Sequence, residues 1–269
     1  MMLYRQYFGL KGDPFTKEID EGHIYESGSM REIASRLEFL LQTRGFFLLT
    51  ADAGVGKTTA LRRFAASLNT GVYRVCYSPM STLTVMDFYQ SLIIRMGAVP
   101  EFRKASMFEQ LQSLISDSYH NKRIAPVFIV DEAQCLSNGV LEDLRMIFNF
   151  KMDSENPFIF VMAGNHAIRR KLQLSANLGL RQRFTGNYHM EGLGEGETAE
   201  YIASRLRLAG ASDENIFEPN AIEAIQKATN GCPRMVNNFA DASLKLAAVL
   251  DKKRIDEEIV FLASKDIEI

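Results

Sequence analysis

Residues 51–58 read Ala-Asp-Ala-Gly-Val-Gly-Lys-Thr, and residues 127–134 read Val-Phe-Ile-Val-Asp-Glu-Ala-Gln. The first is a phosphate-binding loop and the second a carboxylate pair at the end of an apolar run, a combination suited to hydrolysing ATP. Gly54 and Gly56 let backbone N–H groups turn inward around a phosphate, and the helix opening at Lys57 adds its positive end. Asp52, Ala53, Val55 and Gly56 complete the loop, Lys57 reaches the β- and γ-phosphates, Thr58 supplies a hydroxyl for Mg²⁺, and Thr59 lies near the α-phosphate. The usual loop opens with glycine, whereas this one opens with Ala51, whose methyl is tolerated if its φ is negative. Asp131 fits the role of holding the metal, and Glu132 fits the base that polarises the attacking water.

Those groups need a scaffold that delivers them to one edge. The apolar run Phe46-Phe47-Leu48-Leu49 precedes the loop and the pattern TTALRRFAASL follows it, giving strand, loop and helix in sequence. A helix is expected over Met30 to Arg44 and strands at Gly45 to Thr50 and Val72 to Tyr77. Helices should follow near Met86 to Met96 and Ser106 to His120, the second carboxylate strand after them, a helix at Gly139 to Phe150, and a strand at Pro157 to Ala163. This alternation predicts an α/β fold with a mostly parallel sheet between helices. Around Glu191 to Glu197 the glycine-rich, acidic MEGLGEGE marks a boundary. Beyond it only helical patterns remain, near Ala199 to Ala209, Ala221 to Thr229 and Arg234 to Leu250, with a last helix in RIDEEIVFLASKDIEI. The expected organisation is a nucleotide-binding α/β domain with an N-terminal arm over 1–191 and a small helical lid over 192–269.

The 269 residues are 46% hydrophobic and 24% charged, with a formal net charge of -2, which suits a sizeable core and argues against a globally basic nucleic-acid coat. The longest apolar runs are of strand length, and the first residues lack a basic region followed by an apolar stretch. The expectation is therefore a cytoplasmic protein without a membrane segment. Cys76, Cys135 and Cys232 are too scattered for zinc and odd in number, so buried thiols are expected rather than disulfides.

Assembled, these residues resemble the AAA+ ATPases, within them the group typified by ExeA and by the bacterial transposition ATPases of the TnsC, IstB and Mu B groups. The resemblance covers nearly the whole chain. It implies that YFGLKGDPF at Tyr7 to Phe15, with the following HIYESGSMREIASRLEFLL run, is the segment that packs around adenine. It places sensor 1 at Asn165, orienting the hydrolytic water, and an arginine finger in Leu180 to Phe184, with Arg183 the first choice and Arg181 the second. Sensor 2 falls at Arg234 in GCPRMVNNF. A finger acting on a neighbour's ATP implies a homo-oligomeric ring or filament.

By the same resemblance, the leading expectation is an ATP-dependent, duplex-DNA-binding ATPase that recruits or regulates a transposase. It is favoured by a chain too compact for the membrane and peptidoglycan-binding portions of secretion-associated relatives. Ser81 and Thr82, in the loop after the second strand, with Arg103 and Lys104 in the next helical connection, are the candidate DNA contacts. The rival basic cluster Arg169-Arg170-Lys171 reads as a solvated face or subunit contact. Three alternatives stand beside this: a secretion or envelope-assembly ATPase acting on a protein, an initiator or helicase-loader ATPase, and a nonhydrolysing nucleotide switch suggested by Ala51.

Overall fold

The structure is a computed structural model and describes residues 3–79, 84–265 and 267. The strands are β1 (Gly45–Ala51), β2 (Tyr73–Ser78), β3 (Ala125–Val130), β4 (Ile159–Gly164) and β5 (Phe184–Met190). The helices up to the last strand are α1 (Leu3–Tyr7), α2 (Gly28–Thr43), α3 (Lys57–Ser67), α4 (Val85–Arg95), α5 (Lys104–His120), α6 (Asn138–Ile147), α7 (His166–Gln173) and α8 (Leu178–Arg181). After it come α9 (Glu195–Leu208), α10 (Pro219–Thr229), α11 (Pro233–Val249) and α12 (Glu257–Ser264). The chain forms two compact units, one of residues 32–53 and 57–190, the other of residues 1–31, 54–56 and 191–269.

In the first unit, the described residues form a parallel sheet in the order β2-β3-β4-β1-β5. Strands β1, β3 and β4 are buried along their whole length, which is why each is a continuous apolar run rather than an alternating one. Phe46, Phe128, Phe148, Phe158 and Phe160 form one aromatic cluster at the sheet, with the Phe148 and Phe158 centroids 4.5 Å apart. Thr84 caps α4 through a reciprocal pair with Asp87, which fixes the N-terminus of that helix. Strand β5 has no counterpart in the sequence reading. Its FTGNYHM lies at the sheet edge with most positions half-buried or exposed, so it carries no apolar run.

The second unit buries a separate core made by α9 to α12 and by the N-terminal arm, whose Tyr4, Phe8 and Leu10 lie with Leu206, Phe217, Phe239 and Leu244. Arg205, on α9 and 3% exposed, donates through Nε to the Pro14 carbonyl and through Nη2 at 2.6 Å to that of Thr16, fastening the arm. The arm is thus part of the helical unit, whereas the sequence placed it with the α/β domain.

Candidate functional site

The phosphate loop begins where β1 ends. Ala51 is the last residue of that strand, fully buried and in register with Met190. It is not among the residues with positive φ, so the methyl in place of glycine meets no backbone conflict. The turn itself falls on Gly54 (φ 86°) and Gly56 (φ 118°), a region that side-chain-bearing residues rarely adopt. Lys57, the first residue of α3 and only 7% exposed, donates from Nζ to the carbonyls of Ala51 (2.9 Å) and Asp52 (3.1 Å). The ammonium therefore sits inside the curve of the loop, held by two neutral acceptors that a phosphate could replace.

The carboxylates stand at the end of β3. Asp131, 4% exposed, accepts the Thr58 hydroxyl at Oδ2 (2.6 Å) and the Glu132 backbone N–H at Oδ1 (2.9 Å). Thr58 is itself exposed. Thr58 and Asp131 offer two hard oxygen donors, and no group of three His, Cys, Asp or Glu side chains suited to a metal exists among the described residues. Two protein oxygens with phosphate and water completing the shell fit Mg²⁺, which seldom takes an all-protein cage. Tyr77, near the end of β2, feels these carboxylates: burial, reinforced by the charges of Asp131 and Glu132, raises its hydroxyl pKa. Sequence reading missed Tyr77 because a tyrosine in a strand carries no signal of what it faces.

Glu132 has a left-handed backbone (φ 51°, ψ 37°), a conformation that costs a non-glycine residue about 1–3 kcal/mol. Its carboxylate accepts from the Gln134 amide, and the Gln134 Oε1 accepts the backbone N–H of Asn165 at 3.1 Å. Asn165 caps α7, accepting the Ala167 N–H at Oδ1 over 2.8 Å. Base and sensor candidates are therefore brought together, with Gln134 between them.

The remaining candidates are placed less centrally. Arg183, 13% exposed at its side chain, ion-pairs with Asp153 at 2.9 Å and donates to the Phe148 carbonyl at 3.0 Å, while Arg181 is exposed at the end of α8. Arg234 lies in the first turn of α11 with an exposed side chain. Its backbone N–H donates to the Gly54 carbonyl at 3.3 Å, and a Cβ on Gly54 would fall 2.8 Å from the Arg234 Cβ.

Lys104 forms an ion pair with the nearly buried Asp143 at 2.6 Å, and Arg103 is exposed just before α5. Ser81 and Thr82 lie outside the described residues. The Arg169-Arg170-Lys171 cluster is not a simple solvated face: Lys171 Nζ donates to the carbonyls of Gln134 (2.6 Å) and Leu136 (2.8 Å), pinning the turn after the carboxylates. In the arm, Tyr25 donates to Glu200 at 2.7 Å and its ring packs edge-on against Tyr201. Of the three thiols only Cys76 is buried. Cys135 is exposed and Cys232 intermediate, so the expectation of three buried thiols fails for two.

Residues 40–172 match the family model described as an AAA domain. The fold is the AAA+ P-loop fold. Cdc6p from Pyrobaculum aerophilum superposes with a TM-score of 0.68 at 15% identity, covering 94% of this chain and 70% of that one. The RuvB Holliday junction branch migration motor of Thermotoga maritima does so with a TM-score of 0.57 at 22% identity, over 96% of this chain and 74% of that one. At these identities the likeness is one of AAA+ fold. General secretion pathway protein A of Aeromonas hydrophila is 30% identical over 98% of this chain, which spans about half (48%) of that relative's length. The compact length expected to favour a transposition ATPase therefore carries no weight, because the chain spans only about half of that relative. No helix among the described residues is long and apolar enough to cross a membrane.

Proposed function

We propose that this chain is an ATP-hydrolysing AAA+ ATPase whose nucleotide cycle acts on a protein partner, in the manner of a secretion-associated ATPase. The observation that carries the hydrolytic part is the convergence of Lys57, Thr58, Asp131 and Glu132 at the ends of β1 and β3. Lys57 exchanges the Ala51 and Asp52 carbonyls for phosphate oxygens, and Asp52 to Thr59 wrap the phosphates with backbone N–H groups and hydroxyls. Bound Mg²⁺, held by Thr58 and Asp131, would neutralise charge on the phosphates. Glu132 takes the proton of the water that attacks the γ-phosphorus as the bond to ADP breaks, Asn165 orients that water, and Arg234 answers to the γ-phosphate. A finger from a neighbouring copy completes the site in a homo-oligomer. The exposed Arg181 is better placed for that reach than Arg183, whose guanidinium is spent on Asp153 and Phe148.

The protein-directed part rests on General secretion pathway protein A, whose likeness runs over 98% of this chain. It favours the alternative kept beside the leading transposition reading. Lys104, one of the proposed DNA contacts, is engaged by Asp143. Duplex-DNA binding with ATP, with ADP and without nucleotide, over a salt series, separates the two. Absence of binding at confirmed nucleotide occupancy agrees with a protein partner. ATP-dependent binding that weakens steeply with salt overturns it in favour of a DNA-directed ATPase. Lys57→Ala, which removes the phosphate-facing ammonium, is the control for occupancy.

A further inference from the structure

Gln134 is used at both ends. Its Oε1 accepts the Asn165 N–H at 3.1 Å, and its Nε2 donates to Glu132 Oε2. The two partners demand opposite polarity, so only one orientation of the amide satisfies both. The space it occupies is made by Gly164, the last residue of β4, where a Cβ would lie 2.6 Å from Gln134 Oε1 and 3.3 Å from Gln134 N. Behind it, Lys171 ties the Gln134 and Leu136 carbonyls to α7. The Glu132 backbone N–H is held by Asp131, and the carboxylate of this left-handed residue is met by a Gln134 that is itself anchored to the end of β4 and to α7.

We infer that Gln134 is a positioning residue for hydrolysis: it holds Glu132 Oε2 so that Oε1 is presented to the attacking water, and it ties that carboxylate to the end of β4 where Asn165 sits. This rests on Glu132 being the base. Proton transfer needs the acceptor within hydrogen-bond reach of the water in a defined direction, and a carboxylate free to rotate loses that geometry while nucleotide binding, which Lys57 and the loop supply, stays intact.

The test compares Gln134→Leu, Gly164→Ala and the double variant with the wild-type chain. Gln134→Leu removes both bonds at similar volume, and Gly164→Ala displaces the amide without changing it. Each should lower kcat about tenfold, with the KM for ATP and the affinity for a fluorescent ATP analogue within twofold of wild type. The double variant should be no more than twofold slower than the slower single, because both changes break one connection. A kcat within twofold of wild type in Gln134→Leu overturns the inference. So do losses that multiply in the double variant, or affinity that falls together with kcat. Thermal melting checks folding, and if Gln134→Leu does not fold, the same limits on kcat and KM for Gly164→Ala decide alone. A wild-type chain that binds ATP without hydrolysing it overturns the assignment of Glu132 as base instead.

Discussion

The Thr58 hydroxyl donates to Asp131 Oδ2 over 2.6 Å, joining two residues 73 positions apart in the chain. One belongs to the helix that opens after β1 and the other to the end of β3, so the bond is made by the parallel sheet bringing both strand ends to one edge. It also defines where a metal would sit. Thr58→Val keeps the shape and removes the oxygen. Its nucleotide affinity should match wild type in EDTA, fall below wild type when Mg²⁺ is present, and its turnover should drop at least tenfold. Nucleotide titrations with and without metal check this, and identical Mg²⁺ responses in the two proteins would remove Thr58 from the metal site.

Glu132 combines a chemical role with an unfavourable backbone. Glu132→Gln should bind ATP as wild type does while turnover falls about 10²- to 10⁴-fold, the usual contribution of a positioned base. Glu132→Gly should be equally inactive yet more stable, by about 1 kcal/mol, since glycine adopts φ 51° without a Cβ conflict. Denaturant unfolding of the two variants reads the difference. A glycine variant less stable than the glutamine one would mean that the αL geometry carries no strain.

The methyl at position 51 is packed rather than tolerated. Ala51 is fully buried at the end of β1 and paired with Met190. Ala51→Gly should leave ATP turnover within twofold of wild type and lower unfolding free energy by about 0.5–1 kcal/mol, the cost of the added backbone freedom. Loss of turnover would show that the departure from glycine tunes the loop itself, which would revive the nucleotide-switch alternative.

Much of this was legible in the sequence, for reasons that differ by residue. The buried strands β1, β3 and β4 announce themselves because parallel strands covered on both faces must be apolar throughout. Lys57, Thr58, Asp131 and Glu132 were readable because their spacing to those strands is local. Strand β5 was not, because an edge strand with exposed positions needs no apolar run and its pairing to β1 crosses more than a hundred residues. Nor was Gln134, whose contact with Asn165 spans 31 positions and depends on space left by Gly164. The side-chain directions of Arg181 and Arg183 were likewise hidden, since two positions along a short helix and its end fix no common face.

Cysteine reactivity should follow the packing. Burial pushes the Cys76 thiol up to about 12, which leaves almost no thiolate at neutral pH. Cys135, exposed in the turn after Glu132, should therefore react first with a neutral-pH thiol reagent, and Cys76 only after unfolding. Peptide mapping of the labelled protein over time checks the order. Because Cys135 follows Gln134 directly, its modification is expected to slow turnover more than nucleotide binding.

The two arginines near the end of α8 are separable by experiment. Arg183→Ala loses an ion pair to Asp153 and a bond to the Phe148 carbonyl at a largely buried position, so it should destabilise the chain by about 1–3 kcal/mol. Arg181→Ala, at an exposed position, should change stability by less than about 0.5 kcal/mol. If Arg181 is the residue that serves a neighbour's site, Arg181→Ala should abolish most turnover while binding ATP normally. Mixing it with Glu132→Gln should then restore activity, because the second protein brings the arginine and the first retains the base. Recovery at a level set by the fraction of mixed contacts would identify a shared site. No recovery in the mixture, together with recovery when Arg183→Ala is mixed with Glu132→Gln, would assign the role to Arg183 despite its bonds within its own subunit.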